Sequence, residues 1–285
     1  MMTAIITPFK KDGSIDEDAL RRLISFQEEN GADVIVPCGS TGESATLSFD
    51  EHVRVVEIAA DQVKKAKVMA GAGSNSTAEA IILSRRSEKA GADGILSISP
   101  YYNKPTQEGI FLHYKAISEA VDIPVIVYNI PGRTASNITS ATMLRMMELP
   151  GIAGVKEASG DLEQTQRIIK GRPKGRIVLC GDDALTCRMM EMGADGAISV
   201  ASNCVPRRVA DMIGCCMKGR MKEAARIHEE LLPLFGVLFC ETNPIPIKYV
   251  MKKMGYGSGT LRLPLTELTD GNRAAIDGVL KNFGL

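Results

Sequence analysis

Eight short apolar segments recur along the first 200 residues, and longer amphipathic segments separate them. The apolar segments show little alternation with polar residues, which is typical of parallel strands buried on both faces. The predicted strands are Thr3–Thr7, Val34–Pro37, Val68–Gly71, Gly94–Ser99, Pro124–Tyr128, Ile152–Lys156, Ile177–Cys180 and Gly196–Val200. Helical periodicity lies between them, for example at Asp16–Asn30, Phe49–Lys65, Thr77–Lys89 and Thr139–Glu148. Such alternation predicts an α/β fold with a parallel sheet.

A repeated tripeptide supports this alternation of helices and strands. Gly-Ala-Asp occurs at Gly31–Asp33, Gly91–Asp93 and Gly193–Asp195, each time after a helical pattern and before a predicted strand. Glycine is favoured just beyond a helix C-terminus, where the backbone needs a positive φ. The repeat therefore predicts one helix-to-strand corner used three times.

Eight such units favour a (β/α)8 TIM barrel. A doubly wound open sheet is the alternative, but it would want a glycine-rich phosphate-binding turn after the first strand. The segment Thr7–Gly13 has no such turn. Beyond Val205 only helical patterns remain, at Pro206–Lys218, Met221–Leu234, Pro246–Met254 and Asp270–Asn282. We therefore expect a catalytic barrel over residues 1–217 and a helical extension over 218–285 packed on it.

The composition narrows the class of protein. The chain has 34 basic and 34 acidic residues, so it offers no electrostatic argument for nucleic acid or an anionic membrane as partner. No apolar run approaches the roughly 18 residues that span a bilayer, and the N-terminus lacks the pattern of a signal peptide. The seven cysteines form no metal-binding pattern, and the three histidines share no ligand spacing. We expect a soluble cytoplasmic protein with reduced thiols and no metal.

Catalytic residues of such barrels lie at the C-terminal ends of strands. The second predicted strand is followed by Cys38–Glu43, where two glycines flank Ser40 and Thr41. Its backbone N–H groups would suit a small carboxylate, although an ordinary capped turn would also explain the pattern. The sixth strand ends at Lys156. Burial there would lower the pKa of the amine and free it for imine formation.

Other strand ends carry further candidates. Tyr128 ends the fifth strand and would serve as general acid and base if hydrogen bonds lowered its pKa. Arg133 follows in a Pro-Gly turn that could hold a carboxylate, or it is a solvated surface charge. The pair Tyr101 and Tyr102 follows the fourth strand, where packing or an interface contact is the alternative. Helix capping is the preferred interpretation of Asp182 and Asp183, and Ile198 lies in the eighth strand.

These motifs together resemble the dihydrodipicolinate synthase/N-acetylneuraminate lyase family. The resemblance spans nearly the whole chain, to Glu241–Lys248, and it rests on the joint spacing of Gly39–Glu43, Tyr102, Tyr128, Arg133 and Lys156. Members are pyruvate-dependent lyases of the aldolase type. The resemblance implies that Lys156 forms the imine with pyruvate, that Tyr128 shuttles protons, and that the amides of Ser40 and Thr41 hold the pyruvate carboxylate. Many synthases carry threonine where this chain has Ser40, and the hydroxyl is kept.

The resemblance also implies an oligomer. Thr41 would link Tyr128 to Tyr102 in a proton relay, with Tyr102 supplied by a neighbouring subunit. That arrangement requires at least a dimer, and family members are commonly homotetramers built as dimers of dimers. No cofactor is implied, because the lysine amine itself acts as the electron sink.

Arg133 separates the branches of the family. Its Pro-x-Arg-Thr context resembles the synthase branch, where the arginine binds the carboxylate of (S)-aspartate-4-semialdehyde. The implied reaction condenses the pyruvate enamine with that aldehyde and releases 4-hydroxy-tetrahydrodipicolinate and water, on the route to diaminopimelate and lysine. One alternative is a lyase of N-acetylneuraminate or a 2-keto-3-deoxy sugar acid. Another is a sensor that binds pyruvate or lysine without turnover.

A regulatory lysine site is a further expectation from the resemblance. In lysine-inhibited members a pocket at the subunit interface is similar to Ser44, Ala45, His52, Asn75, Glu79 and Tyr101 of this chain. Glu79 would pair with the amine of the bound lysine. Phe49 departs from the pattern, since some inhibited members have histidine there, which leaves the strength of inhibition open. Helix capping and interface packing are the alternative explanation of these residues.

Overall fold

All eight predicted strands are present, and they close into one parallel barrel. The computed structural model describes residues 1–285. Its strands are β1 (Met2–Ala4), β2 (Val34–Val36), β3 (Lys67–Gly71), β4 (Gly94–Ile98), β5 (Val125–Asn129), β6 (Ile152–Glu157), β7 (Ile177–Cys180) and β8 (Gly196–Ser199). Each strand pairs in parallel with the next, and β8 pairs with β1. The prediction of a (β/α)8 barrel is confirmed, and the open doubly wound alternative is wrong.

Twelve helices follow the predicted alternation and continue past the barrel. They are α1 (Glu17–Glu29), α2 (Phe49–Gln62), α3 (Thr77–Lys89), α4 (Gln107–Ser118), α5 (Pro131–Thr134), α6 (Ser140–Met147), α7 (Leu162–Gly171), α8 (Thr186–Glu191), α9 (Pro206–Met217), α10 (Met221–Val237), α11 (Ile245–Lys253) and α12 (Asp270–Leu280). Side-chain caps begin many of them. Ser48 and Glu51, for example, form a reciprocal capping box at α2. No helix combines the length and hydropathy needed to cross a bilayer.

Two predicted elements extend three residues beyond their observed ends, and long-range hydrogen bonds explain both. The first strand was expected to reach Thr7 but ends at Ala4, because the Ile6 N–H donates to the Asn203 side chain at 3.1 Å instead of to a strand. Helix α2 was expected to reach Lys65 but ends at Gln62. There Glu28 Oε1 accepts the N–H groups of residues 64, 65 and 66 at 2.6–2.9 Å and draws them out of the helix.

The three Gly-Ala-Asp corners share one structure. Gly31, Gly91 and Gly193 have φ of +95°, +96° and +106°, as the sequence predicted. Each glycine N–H and the following alanine N–H bond back to the preceding helix in a Schellman motif. In two corners the aspartate side chain then accepts a backbone N–H from the preceding strand. Asp93 accepts the N–H of Val68 in β3, and Asp195 accepts the N–H of Val178 in β7. The corner therefore ends a helix and fixes its strand to the neighbouring one.

Two apolar clusters lie on either side of the barrel wall. The inner cluster fills the barrel with Ala4, Val36, Met69, Leu96, Ile126, Tyr128, Leu179 and Ile198. Strand β6 contributes none of these residues, because it places Gly154 opposite Ile126 and Lys156 opposite Tyr128. The outer cluster is continuous from the barrel helices to Leu234, Ile247 and Ile276 of the extension. Our proposed domain division falls between α9 and α10, within this shared core.

Candidate active site

Strand register brings Lys156 beside Tyr128 at the carboxyl end of the barrel. The two residues are paired across β6 and β5, and Ile98 of β4 lies at the same level on the other side of Tyr128. The Lys156 Nζ lies 4.2 Å from the centroid of the Tyr128 ring. The amine therefore sits above the apolar filling of the barrel, with an aromatic face as its neighbour.

Burial favours the neutral form of the Lys156 amine. The residue is 5% exposed, and burial lowers the pKa of its amine from 10.5 to about 8. The carboxylate of Asp183 opposes that shift, and the guanidinium of Arg133 adds to it. At pH 7 roughly one amine in ten is then neutral, compared with about three in ten thousand for a free lysine. The burial and the lowered pKa expected of Lys156 are present, and its role as the nucleophile stays a prediction.

Gly181 provides the room that this side chain occupies. A Cβ added at Gly181 would lie 2.8 Å from Lys156 Cε and 2.8 Å from Ala158 Cβ. These distances are shorter than ordinary carbon contacts of about 3.5–4.0 Å. From the sequence, Gly181 is assigned no role. Its signal was a glycine immediately after β7.

Asp182 and Asp183 both cap backbone N–H groups. Asp182 begins a 3₁₀ turn by accepting the Ala184 N–H at 2.9 Å. Asp183 accepts the N–H groups of Val200 and Ala201 at 3.0 and 2.9 Å, and so caps the turn that follows β8. Its side chain is buried, and its charge acts on Lys156. The carboxylate thus joins a structural role to an electrostatic one.

Tyr128 is held in its protonated form. Burial raises the pKa of its phenol to about 12, and only in part do Arg133 and a hydrogen bond from Ser40 counter this. Sequence reasoning required hydrogen bonds to lower this pKa, but desolvation is the larger effect in the single chain. At neutral pH the phenol is therefore a proton donor, and its use as a base depends on groups that carry the proton onward.

The Cys38–Glu43 turn is tight, and all of it is buried except the half-buried Gly39 and Ser40. Cys38 and Glu43 both have positive φ, at +56° and +54°. Gly42 lies so close to the turn's start that a Cβ there would be 3.0 Å from the Cys38 nitrogen. Thr41 is buried, and its hydroxyl accepts a hydrogen bond from Asn243 Nδ2 at 3.0 Å. That leaves the Thr41 proton available for donation within the site.

The C-terminal extension forms one wall of the site. The backbone carbonyl of Asn243 accepts a hydrogen bond of 2.9 Å from Arg133 Nη2, which holds the guanidinium at the mouth of the barrel. The side-chain oxygen of Asn243 is buried and has no partner. Asn243 lies in the segment Glu241–Lys248, and the sequence alone indicates no role for it. Its contacts depend on residues more than 100 positions away.

A buried polar network supports the loop that carries Arg133. Asn129, the last residue of β5, donates to the carboxylate of Glu157 at 3.1 Å and to Asn137 at 2.9 Å. Its oxygen accepts the Ile138 N–H at 3.0 Å. Burial raises the pKa of Glu157. These bonds tie both ends of the α5 loop to the strands of the barrel.

Tyr102 is exposed in its own chain. It is 86% exposed and has a φ of +73°, in the left-handed region that non-glycine residues rarely adopt. Its own chain therefore does not bring Tyr102 to Thr41 and Tyr128. Such strain persists only where the surrounding structure fixes the backbone, and it is typical of functional positions.

A cleft extends from the candidate active site to most of the residues expected to bind lysine. It has a volume of about 480 Å³ and contains Ser44, Ala45, His52, Glu79 and Tyr101 together with Ser40 and Arg133. Asn75 is not part of its lining; its carbonyl accepts a hydrogen bond from Asn103. Glu79 accepts from Ser74 Oγ at 2.8 Å. Burial lowers the pKa of His52 to about 4, so this ring is neutral.

With this geometry in place, known proteins give a consistent result. A model of the dihydrodipicolinate synthetase family matches residues 1–283. This chain belongs to that family. The resemblance predicted from the sequence is confirmed. Relatives named 4-hydroxy-tetrahydrodipicolinate synthase include those of Syntrophus aciditrophicus, 50% identical over 100% of this chain and 98% of theirs, and Chloroherpeton thalassium, 49% identical over 99% and 94%.

Solved structures of the family share the fold closely. Dihydrodipicolinate synthase from Aquifex aeolicus has a TM-score of 0.98 and is 44% identical, over 100% of this chain and 97% of that one. The chloride-inhibited enzyme of Acinetobacter baumannii, complexed with pyruvate, has a TM-score of 0.97 at 40% identity over 99% and 98%. The enzyme of Cyanidioschyzon merolae with lysine bound has a TM-score of 0.97 at 41% identity over 100% and 97%.

Proposed function

We propose that the chain is a 4-hydroxy-tetrahydrodipicolinate synthase, a Schiff-base lyase that condenses pyruvate with (S)-aspartate-4-semialdehyde in diaminopimelate and lysine biosynthesis. The single observation that carries this is Lys156, a buried amine with a pKa of about 8 that faces Tyr128 in a chain of this family. A cytoplasmic location and the division into domains after residue 217 stay predictions.

The first step forms the imine. The neutral Lys156 amine attacks the keto carbon of pyruvate, and the resulting carbinolamine loses water. Tyr128 is the proton donor at hand for the departing hydroxyl, because its phenol stays protonated at neutral pH. The amides of the Ser40–Thr41 turn would hold the pyruvate carboxylate, and this fixes the keto carbon over the amine.

The second half of the reaction forms the carbon–carbon bond. Loss of a methyl proton from the iminium gives an enamine, whose terminal carbon attacks the aldehyde carbon of the semialdehyde. The substrate amine then attacks the imine carbon, closes the ring and releases the Lys156 amine and the product. Arg133 lies at the mouth of the site, where its guanidinium would bind the semialdehyde carboxylate. Ile198 lines the barrel floor below these groups.

Borohydride trapping tests the reaction directly. Reduction in the presence of pyruvate should attach a three-carbon unit to Lys156, identified by peptide mass spectrometry, and semialdehyde should be turned over by the same preparation. Arg133→Ala should keep the pyruvyl adduct and lose most semialdehyde turnover. Arg167→Ala, which removes an exposed arginine on α7, is the matched control. Adduct formation without semialdehyde turnover in the wild-type chain would favour a sugar-acid lyase, and a chain without any adduct would contradict the mechanism.

The proton relay requires a second subunit in this proposal. Tyr102 is exposed in its own chain, while Thr41 keeps a proton to donate inside the site. Tyr102 from a neighbouring protomer would therefore complete the path from Tyr128 through Thr41 to solvent, in a homo-oligomer that we expect to be a tetramer.

Mixed oligomers test the relay. Tyr102→Phe and Lys156→Ala should each be nearly inactive alone. When they are co-expressed, the Lys156→Ala chain supplies an intact Tyr102 to the other chain's Lys156, so activity should return. If the mixed preparation stays as inactive as its parents, Tyr102 does not act between subunits. Sedimentation that finds only active monomer would refute the oligomer itself.

Lysine is the effector that the adjoining cleft would bind. The carboxylate of Glu79 lies in the same cleft as Arg133, so a bound amino acid there would lie close to the substrate site. Glu79→Gln should weaken inhibition by lysine and leave the uninhibited rate unchanged. Equal inhibition of both chains would show that these residues only cap and pack.

A further inference from the structure

A buried ion pair lies directly behind the carboxylate-binding turn. Lys248 of α11 donates from Nζ to Glu43 Oε1, and the side chains are 1% and 0% exposed. The two residues are 205 positions apart in the chain. Glu43 is the last residue of the turn and has left-handed backbone geometry. The extension thus contacts the turn at a residue with left-handed backbone geometry.

The second oxygen of Glu43 fixes another segment. It accepts the backbone N–H of Arg262 at 3.1 Å. The Arg262 guanidinium in turn donates to the carbonyls of Gly13 and Thr46 and pairs with Glu51. The ammonium of Lys248 and the guanidinium of Arg262 both lie over the Phe9 ring, at 4.0 and 4.3 Å from its centroid. One carboxylate therefore joins the turn to two separate parts of the extension.

Stability alone gives a poor account of this arrangement. Removing two charges from water costs about as much as their attraction returns, so an apolar pair of similar volume is often as stable. A charged pair differs from an apolar one because hydrogen bonds fix the orientation of its side chains. Here the fixed orientation of the Glu43 side chain in turn orients the backbone of the Cys38–Glu43 turn. The Glu43 N–H bonds to the Ser40 carbonyl at 3.2 Å, and the Gly42 N–H bonds to the Gly39 carbonyl at 3.0 Å.

We propose that Lys248 and Glu43 are a positioning pair that sets the Ser40 and Thr41 amides for the substrate's carboxylate. The C-terminal extension thereby determines how tightly the site binds a 2-keto acid. This inference rests on the proposed function, since it takes the turn as the carboxylate site. Neither residue touches the reacting atoms; both act through the turn.

Lys248 is distinct from the nucleophile although it is also a buried lysine. Burial lowers its pKa to about 8, and Glu43 opposes that shift. Its ammonium is held between Glu43 and the Phe9 ring, without an opening to the reacting carbon. Borohydride trapping should therefore label Lys156 and leave Lys248 unmodified.

Two ketones separate positioning from general damage. Pyruvate carries a carboxylate and acetone does not, but both form imines with an accessible amine. Lys248→Met should raise the half-saturating pyruvate concentration for adduct formation by about tenfold or more. A loss of that size corresponds to weakening one hydrogen bond to a charged group. The rate of acetone adduct formation on Lys156 should stay within twofold of wild type.

Two further chains control for folding. Lys253→Met removes an exposed ion pair with Asp277 from the same helix and should behave as wild type with both ketones. Lys248→Met leaves a buried carboxylate unpaired and should lower the melting temperature. The double variant Glu43→Gln with Lys248→Met removes that charge, so its melting temperature should recover while its half-saturating pyruvate concentration stays raised.

Each outcome decides the matter. A folded Lys248→Met chain with wild-type pyruvate saturation refutes the positioning role. Equal loss with pyruvate and acetone refutes it too, because the whole site and not the carboxylate contact is then disturbed. Full recovery of pyruvate saturation in the double variant would show that the pair matters only for stability. A wild-type chain that forms no pyruvyl adduct on Lys156 refutes the proposed function itself, which is a different result from any of these.

Discussion

Replacing Gly181 by alanine should disable the nucleophile and leave the fold intact. The new methyl group would lie 2.8 Å from Lys156 Cε and 3.1 Å from its Cγ. Ordinary contact is about 3.5–4.0 Å, so the amine must move by close to 1 Å. A displacement of that size at a reacting atom costs about a hundredfold in rate. We therefore expect imine formation with pyruvate to slow about a hundredfold in Gly181→Ala.

The measurement is the rate of borohydride-trapped adduct, set beside the free energy of unfolding in urea. Gly181 has no positive φ, so alanine is allowed by the backbone, and the unfolding free energy should change by no more than about 1–3 kcal/mol. Gly214→Ala is the matched control, because an added Cβ there meets nothing within 4 Å. It should keep the wild-type trapping rate. A wild-type rate in Gly181→Ala would refute the view that this glycine makes room for Lys156.

Three further predictions follow from buried groups and close contacts. Adduct formation should rise with pH through about 8 as Lys156 loses its proton. Asp183→Asn should move that rise to lower pH, because the carboxylate of Asp183 raises the pKa of the amine. An unchanged pH profile in this variant would exclude an effect of the Asp183 charge on Lys156. Lys156→Met should abolish the adduct yet raise the unfolding free energy at pH 7 by up to about 3 kcal/mol. Folding lowers the pKa of the Lys156 amine from 10.5 to about 8, and the destabilisation that this causes is fully present below pH 8. Urea denaturation that finds no gain in stability would contradict this. Gly154→Ala should cost about 3 kcal/mol or more, because its Cβ would lie 2.1 Å from the Ile177 carbonyl oxygen in the adjacent strand, and a normally stable variant would show that the barrel wall yields there.

Local patterns in the sequence were sufficient to predict the barrel. The Gly-Ala-Asp corners illustrate why, since Gly31, Gly91 and Gly193 each fix a helix end through bonds to residues only a few positions away. Lys156 could be placed at the mouth because the end of a buried strand is a position in the sequence as well as in space. Features determined within one βα unit are therefore readable before the structure is known.

The missed features all depend on distant residues. Asn243 meets Thr41 and Arg133, and Glu43 meets Lys248, across more than 100 residues of chain. The early end of α2 depends on Glu28, which lies on another helix. The direction of the Tyr128 pKa shift depends on total burial, for which the residue's own neighbours in sequence give no measure. Such properties belong to the closed barrel.

The 205 positions that separate Glu43 from Lys248 in the chain also separate the two residues in time. A ribosome that adds about 5–20 residues per second needs roughly 10–40 s to make that length of chain. During this interval the newly made N-terminal half holds a carboxylate that is destined for burial and has no counter-charge. Burying Glu43 before Lys248 exists would leave an unpaired charge in the interior, so this corner of the barrel should close only after almost the entire polypeptide has been synthesised.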